Sequence, residues 1–112
     1  MSESNNVVVI TTTAPSRESA ETLARSLVEQ RIAACVQMAP IRSVYRWKGA
    51  IETSEETALW IKTRSALQER VIRSISGQHE YEVPEILALP AVGGLEAYVQ
   101  WIVDETGDPA TV

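Results

Sequence analysis

Residues 31 to 63 constrain the fold most. The segments RIAACVQMAPIRSVYRW (31–47) and IETSEETALWIKT (51–63) are rich in β-branched and aromatic residues, and only KGA, with Gly49, lies between them. Two strands of that length joined so tightly form a hairpin longer than a small sheet needs. Its overhang presents unpaired backbone edges, which a lone subunit must protect and an oligomer can pair. Pro40 cannot donate in a ladder, so a bulge or bend is expected there. In the second segment Glu56, Ala58, Trp60 and Lys62 alternate with Thr57, Leu59, Ile61 and Thr63, so the two sets face opposite sides. Glu56 and Lys62 thus share a face about 20 Å apart, and each needs a partner on another strand or another subunit.

The flanking segments supply the remaining elements. NVVVITTTA (6–14) reads as a buried strand, and SRESAETLARSLVEQ (16–30) as a helix. Its apolar stripe is Ala20, Leu23, Ala24, Leu27 and Val28, with Ser16 as N-cap and Glu18 in the first turn. ALQERVIRSISG (66–77) predicts a second helix buried through Leu67, Val71, Ile72 and Ile75, closed by Gly77 in a left-handed cap. VPEILALPAV (83–92) reads as a short strand and GLEAYVQWIVDE (94–105) as a third helix, before a fraying tail, TGDPATV. The order is β-α-β-β-α-β-α. Its first six elements predict an α+β, ferredoxin-like split β-α-β arrangement: one antiparallel sheet, helices on one face, and an extra C-terminal helix. A single domain over 1–112 is expected, ordered from about 6 to 105.

A net charge of −5 argues against nucleic acid and anionic membranes as partners. No segment approaches a membrane span, and the N-terminus lacks the pattern of a secretory signal. With one cysteine, Cys35, no disulfide can close within the chain, and a cytoplasmic location is expected. No nucleophile motif, phosphate loop or dinucleotide fingerprint is present, and VGGLEA (92–97) reads as a turn and helix cap. No enzyme activity is expected.

Five segments in order then carry a resemblance: TTAPS, RIAACV, VYRWKGAIETSEETALWIKT, YEVPEIL and YVQWI. Across roughly residues 7 to 105 the chain resembles the CutA divalent-cation tolerance proteins. The resemblance implies a soluble homotrimer in which the long hairpin pairs with a neighbouring subunit and clefts form between subunits. It also implies a link to copper and divalent-metal tolerance. The trimer of this family is similar in architecture to the PII nitrogen-signalling proteins, so a ligand-binding, signalling or scaffold protein with no physiological metal site is the alternative.

Candidate site residues follow. His79 is the only histidine and lies among Glu80, Glu82 and Glu85. The copper-ligand positions of enteric-type members fall on Thr12, Gln78 and His79, so one imidazole remains of a cysteine and two histidines. His79, Glu80 and Glu82 are candidates for Cu²⁺ or Zn²⁺, with neighbouring carboxylates donated across a subunit interface; the alternative is an exposed loop histidine that holds nothing. Cys35 is a further thiolate candidate, although its apolar surroundings favour core packing. Lys62, Tyr81, Glu85 and Glu56 are candidates for an inter-subunit cleft, or for a structural ion-pair network. Tyr45, Trp47, Trp60 and Trp101 are candidate trimer anchors.

Overall fold

The computed structural model describes residues 7–107. Strand β1 (Val7–Ala14) leads to helix α1 (Arg17–Glu29), then β2 (Cys35–Trp47) and β3 (Ala50–Arg64). A single 3₁₀ turn (Ser65–Leu67) opens α2 (Gln68–Gln78), and β4 (Ile86–Pro90) and α3 (Glu96–Glu105) close the chain. The sheet runs β2-β3-β1-β4 with every neighbouring pair antiparallel. This is the ferredoxin-like α+β arrangement with its long β2–β3 hairpin.

One face of the sheet is covered by α1 and α2. Val8, Ile10 and Ala14 of β1 and Leu59 and Ile61 of β3 pack there against Ala20, Leu23, Leu27, Val71 and Ile75. Ser16 caps α1: its hydroxyl accepts from the Ser19 backbone N–H at 3.0 Å, and Ser19 reciprocates in a capping box. The hairpin turns through Lys48 and Gly49, at φ 49° and 84°. Two successive left-handed residues match the twist of the strands they join.

Several local expectations give way. The β2–β3 ladder passes from Cys35↔Lys62 to Trp47↔Ala50 without a break, so Pro40 makes no bulge. It is tolerated because β2 is an edge strand, whose outward side needs no donor. Residues 31–34 are not strand: Ile32 and Ala33 return their N–H groups to the Leu27 carbonyl. Gly77 lies inside α2, which ends at an extended His79. Val28 is 42% exposed, off the apolar stripe of α1. Thr106 is buried and does not fray: Arg64 Nε donates to its hydroxyl at 3.0 Å. The rest of the expected tail, from residue 108, lies outside the described residues.

The opposite, open face carries Cys35, Gln37, Tyr45 and Trp47 of β2 and Glu52, Glu56, Trp60 and Lys62 of β3. The extra helix sits on this side, because Lys62 and Arg64, which point away from α1 and α2, reach Tyr98 and Thr106. The hairpin divides in two. Strand β1 covers β3 only from Thr57 to Arg64, so residues 50–56 pair with β2 alone and form an arm about 20 Å long. Both faces of the arm expose large apolar side chains to solvent, Val44 and Ile51 on one side and Tyr45 and Trp47 on the other.

Candidate functional site

The loop from His79 to Glu85 crosses the open face where the arm leaves the sheet. The Tyr81 hydroxyl donates to Glu56 Oε2 at 3.0 Å, joining loop to β3. Burial alone would raise the Glu56 carboxyl, but hydroxyls of Ser43, Tyr81 and Thr13 and the nearby His79 outweigh it and hold Glu56 below its usual value. Tyr81 moves the other way, to about 12, through burial first and then through its bond to Glu56 and the charge of that carboxylate.

Both nitrogens of His79 are engaged. Nδ1 accepts from the Tyr81 backbone N–H at 3.1 Å, which leaves the ring proton on Nε2, donated to the Thr13 carbonyl at 2.5 Å. The imidazole also lies 4.8 Å from the Tyr81 ring, centroid to centroid. His79 thus fastens the end of α2 to β1 and shapes the loop that carries Tyr81. A recess of about 480 Å³ opens beside it, lined in part by Pro15, Glu18, Gln78 and Glu80. Its polar groups are largely spent within the chain: Ser16 and Ser19 cap α1, and Gln78 Nε2 donates to Ser74.

These residues do not make a copper or zinc centre within one chain. An ion at His79 must displace the Tyr81 amide or the Thr13 carbonyl. Glu82 lies 3.6 Å from Lys48 at the arm tip, in a solvent-exposed pair. Cys35 stands level with Lys62 in the ladder, four residues from the level of Thr13, about 13 Å along the sheet. No group of three or more His, Cys, Asp or Glu side chains that could hold a metal occurs among the described residues. Cys35 is half-buried on the open face, where the residue opposite it is a lysine 27 positions later in sequence.

Lys62 belongs to a different cluster. Its Nζ donates to Gln37 Oε1 at 2.7 Å, lies 3.4 Å from the Tyr98 hydroxyl and sits 5.6 Å above the Tyr98 ring. Trp101 stacks on Tyr98 at 5.6 Å. Tyr81 and Glu85 are not there: β4 starts at Ile86, level with Thr12, at the far end of the sheet from Lys62. One chain therefore separates Lys62 from Tyr81, Glu85 and Glu56. Gln37 and Tyr98 are partners that sequence reasoning missed, since 25 and 36 residues separate them from Lys62.

An α+β subunit with a four-stranded antiparallel sheet, a two-layer core and a long projecting hairpin defines the structural class. The family model for the CutA1 divalent ion tolerance protein matches residues 8–105, and the chain belongs to that family. It is 42% identical over 110 residues to the chloroplastic protein CutA of Arabidopsis thaliana, spanning 95% of this chain and 60% of that one. It is 40% identical over 100 residues to the divalent-cation tolerance protein CutA of Thermus thermophilus, covering 88% of this chain and 97% of that one. The chain thus spans about 60% of the length of the plant relative and nearly all of the bacterial one. Among solved structures, CutA1 from Oryza sativa superposes with a TM-score of 0.90 at 38% identity, over 96% of this chain and 99% of that one. The periplasmic divalent cation tolerance protein CutA from Archaeoglobus fulgidus gives 0.88 at 39% identity, over 90% and 99%.

Proposed function

We propose that this protein is a non-catalytic homotrimer that acts in divalent-cation tolerance, meeting ions such as Cu²⁺ or Zn²⁺ in clefts between subunits. The observation that carries this reading is the arm. A two-stranded ribbon with Tyr45 and Trp47 on one face and Val44 and Ile51 on the other has no covering layer among the described residues. A neighbouring subunit supplies that layer and pairs the outer edge of β2. Trp60 and Trp101, both partly exposed, anchor the same contact.

Ion capture between subunits suits the donors available. Glu80, Glu82 and Glu85 are exposed around the loop, and His79 lies at its root. The described residues of a single chain offer no closed ligand set, whereas carboxylates from two subunits complete one around a borderline ion. A reducing cytoplasm suits a chain whose one cysteine closes no disulfide within it. The test is light scattering together with calorimetric titration of Cu²⁺ and Zn²⁺ into the parent and into Trp60→Glu. Three chains per particle with saturating heats, both lost in the variant, are expected. A single-chain mass for the parent overturns the assembly, and non-saturating heats in an intact trimer overturn the metal role.

A further inference from the structure

Two aromatic patches on the open face carry unneutralised charges of opposite sign. At the base of the sheet, Lys62 lies over the Tyr98 ring, on which Trp101 stacks, with Trp60 two residues away on the same strand face, and no carboxylate approaches its Nζ within ion-pair distance among the described residues. On the arm, Glu52 stands opposite Tyr45 in the ladder with Trp47 diagonal to it, and it too has no ion pair among the described residues. On the other face of the arm Arg42 and Glu55 neutralise one another at 3.9 Å, and Arg46 has no ion pair among the described residues. Glu56 is likewise occupied, by Tyr81. Strand β3 therefore carries a free acid on the arm and a free base ten residues later, on the same face.

Ten residues of extended chain are about 33 Å, so Glu52 and Lys62 of one chain cannot meet. Between copies they can. We infer that the arm of one copy docks its Glu52–Tyr45–Trp47 patch on the Lys62–Trp60–Tyr98–Trp101 patch of the next, with Glu52 completing the site around Lys62. The inference rests on the trimeric reading above and adds the register of its contact. An acid patch on one end of the chain meeting a base patch on the other is a heterologous contact, which closes into a ring when the rotation permits. In an isologous dimer the same pair forms twice, Glu52 to Lys62 and Lys62 to Glu52, so the particle mass distinguishes the three-chain ring from that dimer. Aromatic rings around the pair exclude water, so each charge loses its hydration on assembly and has to be matched by the other.

The test is a charge exchange read by light scattering and by the guanidinium midpoint of trimer dissociation, with circular dichroism to confirm the fold of each variant. Lys62→Glu and Glu52→Lys are each expected to raise the dissociation constant at least about tenfold, the scale for unpairing a desolvated interfacial charge. The double exchange is expected to restore most of that loss. Lys62→Met and Glu52→Gln, which add no repulsion, serve if a reversal prevents folding, and each is expected to weaken the trimer in the same direction. A trimeric parent whose single reversals dissociate at the parent's midpoint overturns the register and leaves the trimer standing. A double exchange no better than the worse single variant also overturns it. A parent that runs as one chain overturns the trimer itself, and the register with it.

Discussion

Tyr81 and Glu56 are joined by one hydrogen bond, hydroxyl to carboxylate at 3.0 Å, across 25 residues of sequence. The bond holds the loop after α2 against the root of the arm. Removing the hydroxyl in Tyr81→Phe is expected to cost about 1–2 kcal/mol, the usual range for a bond to a charged acceptor at a partly exposed site. The same variant should lift the Glu56 carboxyl toward its ordinary value, since one of the hydroxyls holding it down is gone. Carbon-detected titration of the Glu56 side chain checks the direction.

The pH dependence follows from both partners. Glu56 lies below its unfolded value, so its contribution is present above the ordinary carboxyl range and lost as pH falls through the lower folded value. Tyr81 lies above its ordinary 10.0, at about 12, so its contribution is complete below pH 10 and lost as pH rises through 12. Melting temperature against pH should fall at both ends. In Tyr81→Phe the alkaline fall is expected to shrink, and an unchanged alkaline limb would assign it elsewhere.

His79→Ala deletes an acceptor for the Tyr81 amide and a donor to the Thr13 carbonyl. The Tyr81 amide is expected to exchange with solvent about tenfold faster, with core amides such as that of Ile61 unaffected. Uniform acceleration across the sheet would mean that His79 supports global stability instead of the loop.

The Thr12 hydroxyl is buried with no hydrogen-bond partner among the described residues. Thr12→Val keeps the shape and removes that unmatched polar atom, so a stabilisation of about 1 kcal/mol is expected in chemical denaturation. A loss of stability would mean that the hydroxyl has a partner in solution.

Arg64 ties the end of the described chain to β3, donating to the Thr106 hydroxyl and the Gly107 carbonyl, while Thr106 also donates to the Ile102 carbonyl at 2.8 Å. Arg64→Met should expose the segment after α3 to limited proteolysis at a cost of about 2–3 kcal/mol. Cleavage no faster than in the parent would show that Ile102 alone docks the helix.

Element order and facing were readable because they depend on periods of two and 3.6 residues. Leu59 and Ile61 alternate with Trp60 and Lys62, and the alternation alone separates the helix-covered face from the open one. Local rules failed where tertiary context decided. Pro40 is harmless because β2 is an edge strand, and strand order is not written in the residues around Pro40. Thr106 resembles a tail residue until Arg64 folds onto it. The site failed differently. Loop neighbours His79 and Tyr81 were visible as neighbours, but that His79 spends both nitrogens inside the chain depends on where β1 places the Thr13 carbonyl. Lys62 was recognisable as a cation in want of a partner; Gln37 and Tyr98 come from β2 and α3, and only the fold brings them.

The arm also sets a clock. The base of the sheet has its own core of Ile10, Leu59, Ile61 and Ile75 within one chain. The arm has no such core, and ordering it costs backbone entropy that two strands alone recover poorly. In the proposed trimer its ordering therefore waits for collision with another copy. On that reading maturation is a reaction of higher order than folding: newly made chains reach their final shape faster where they are abundant, and dilution prolongs the interval during which their aromatic arms lie open.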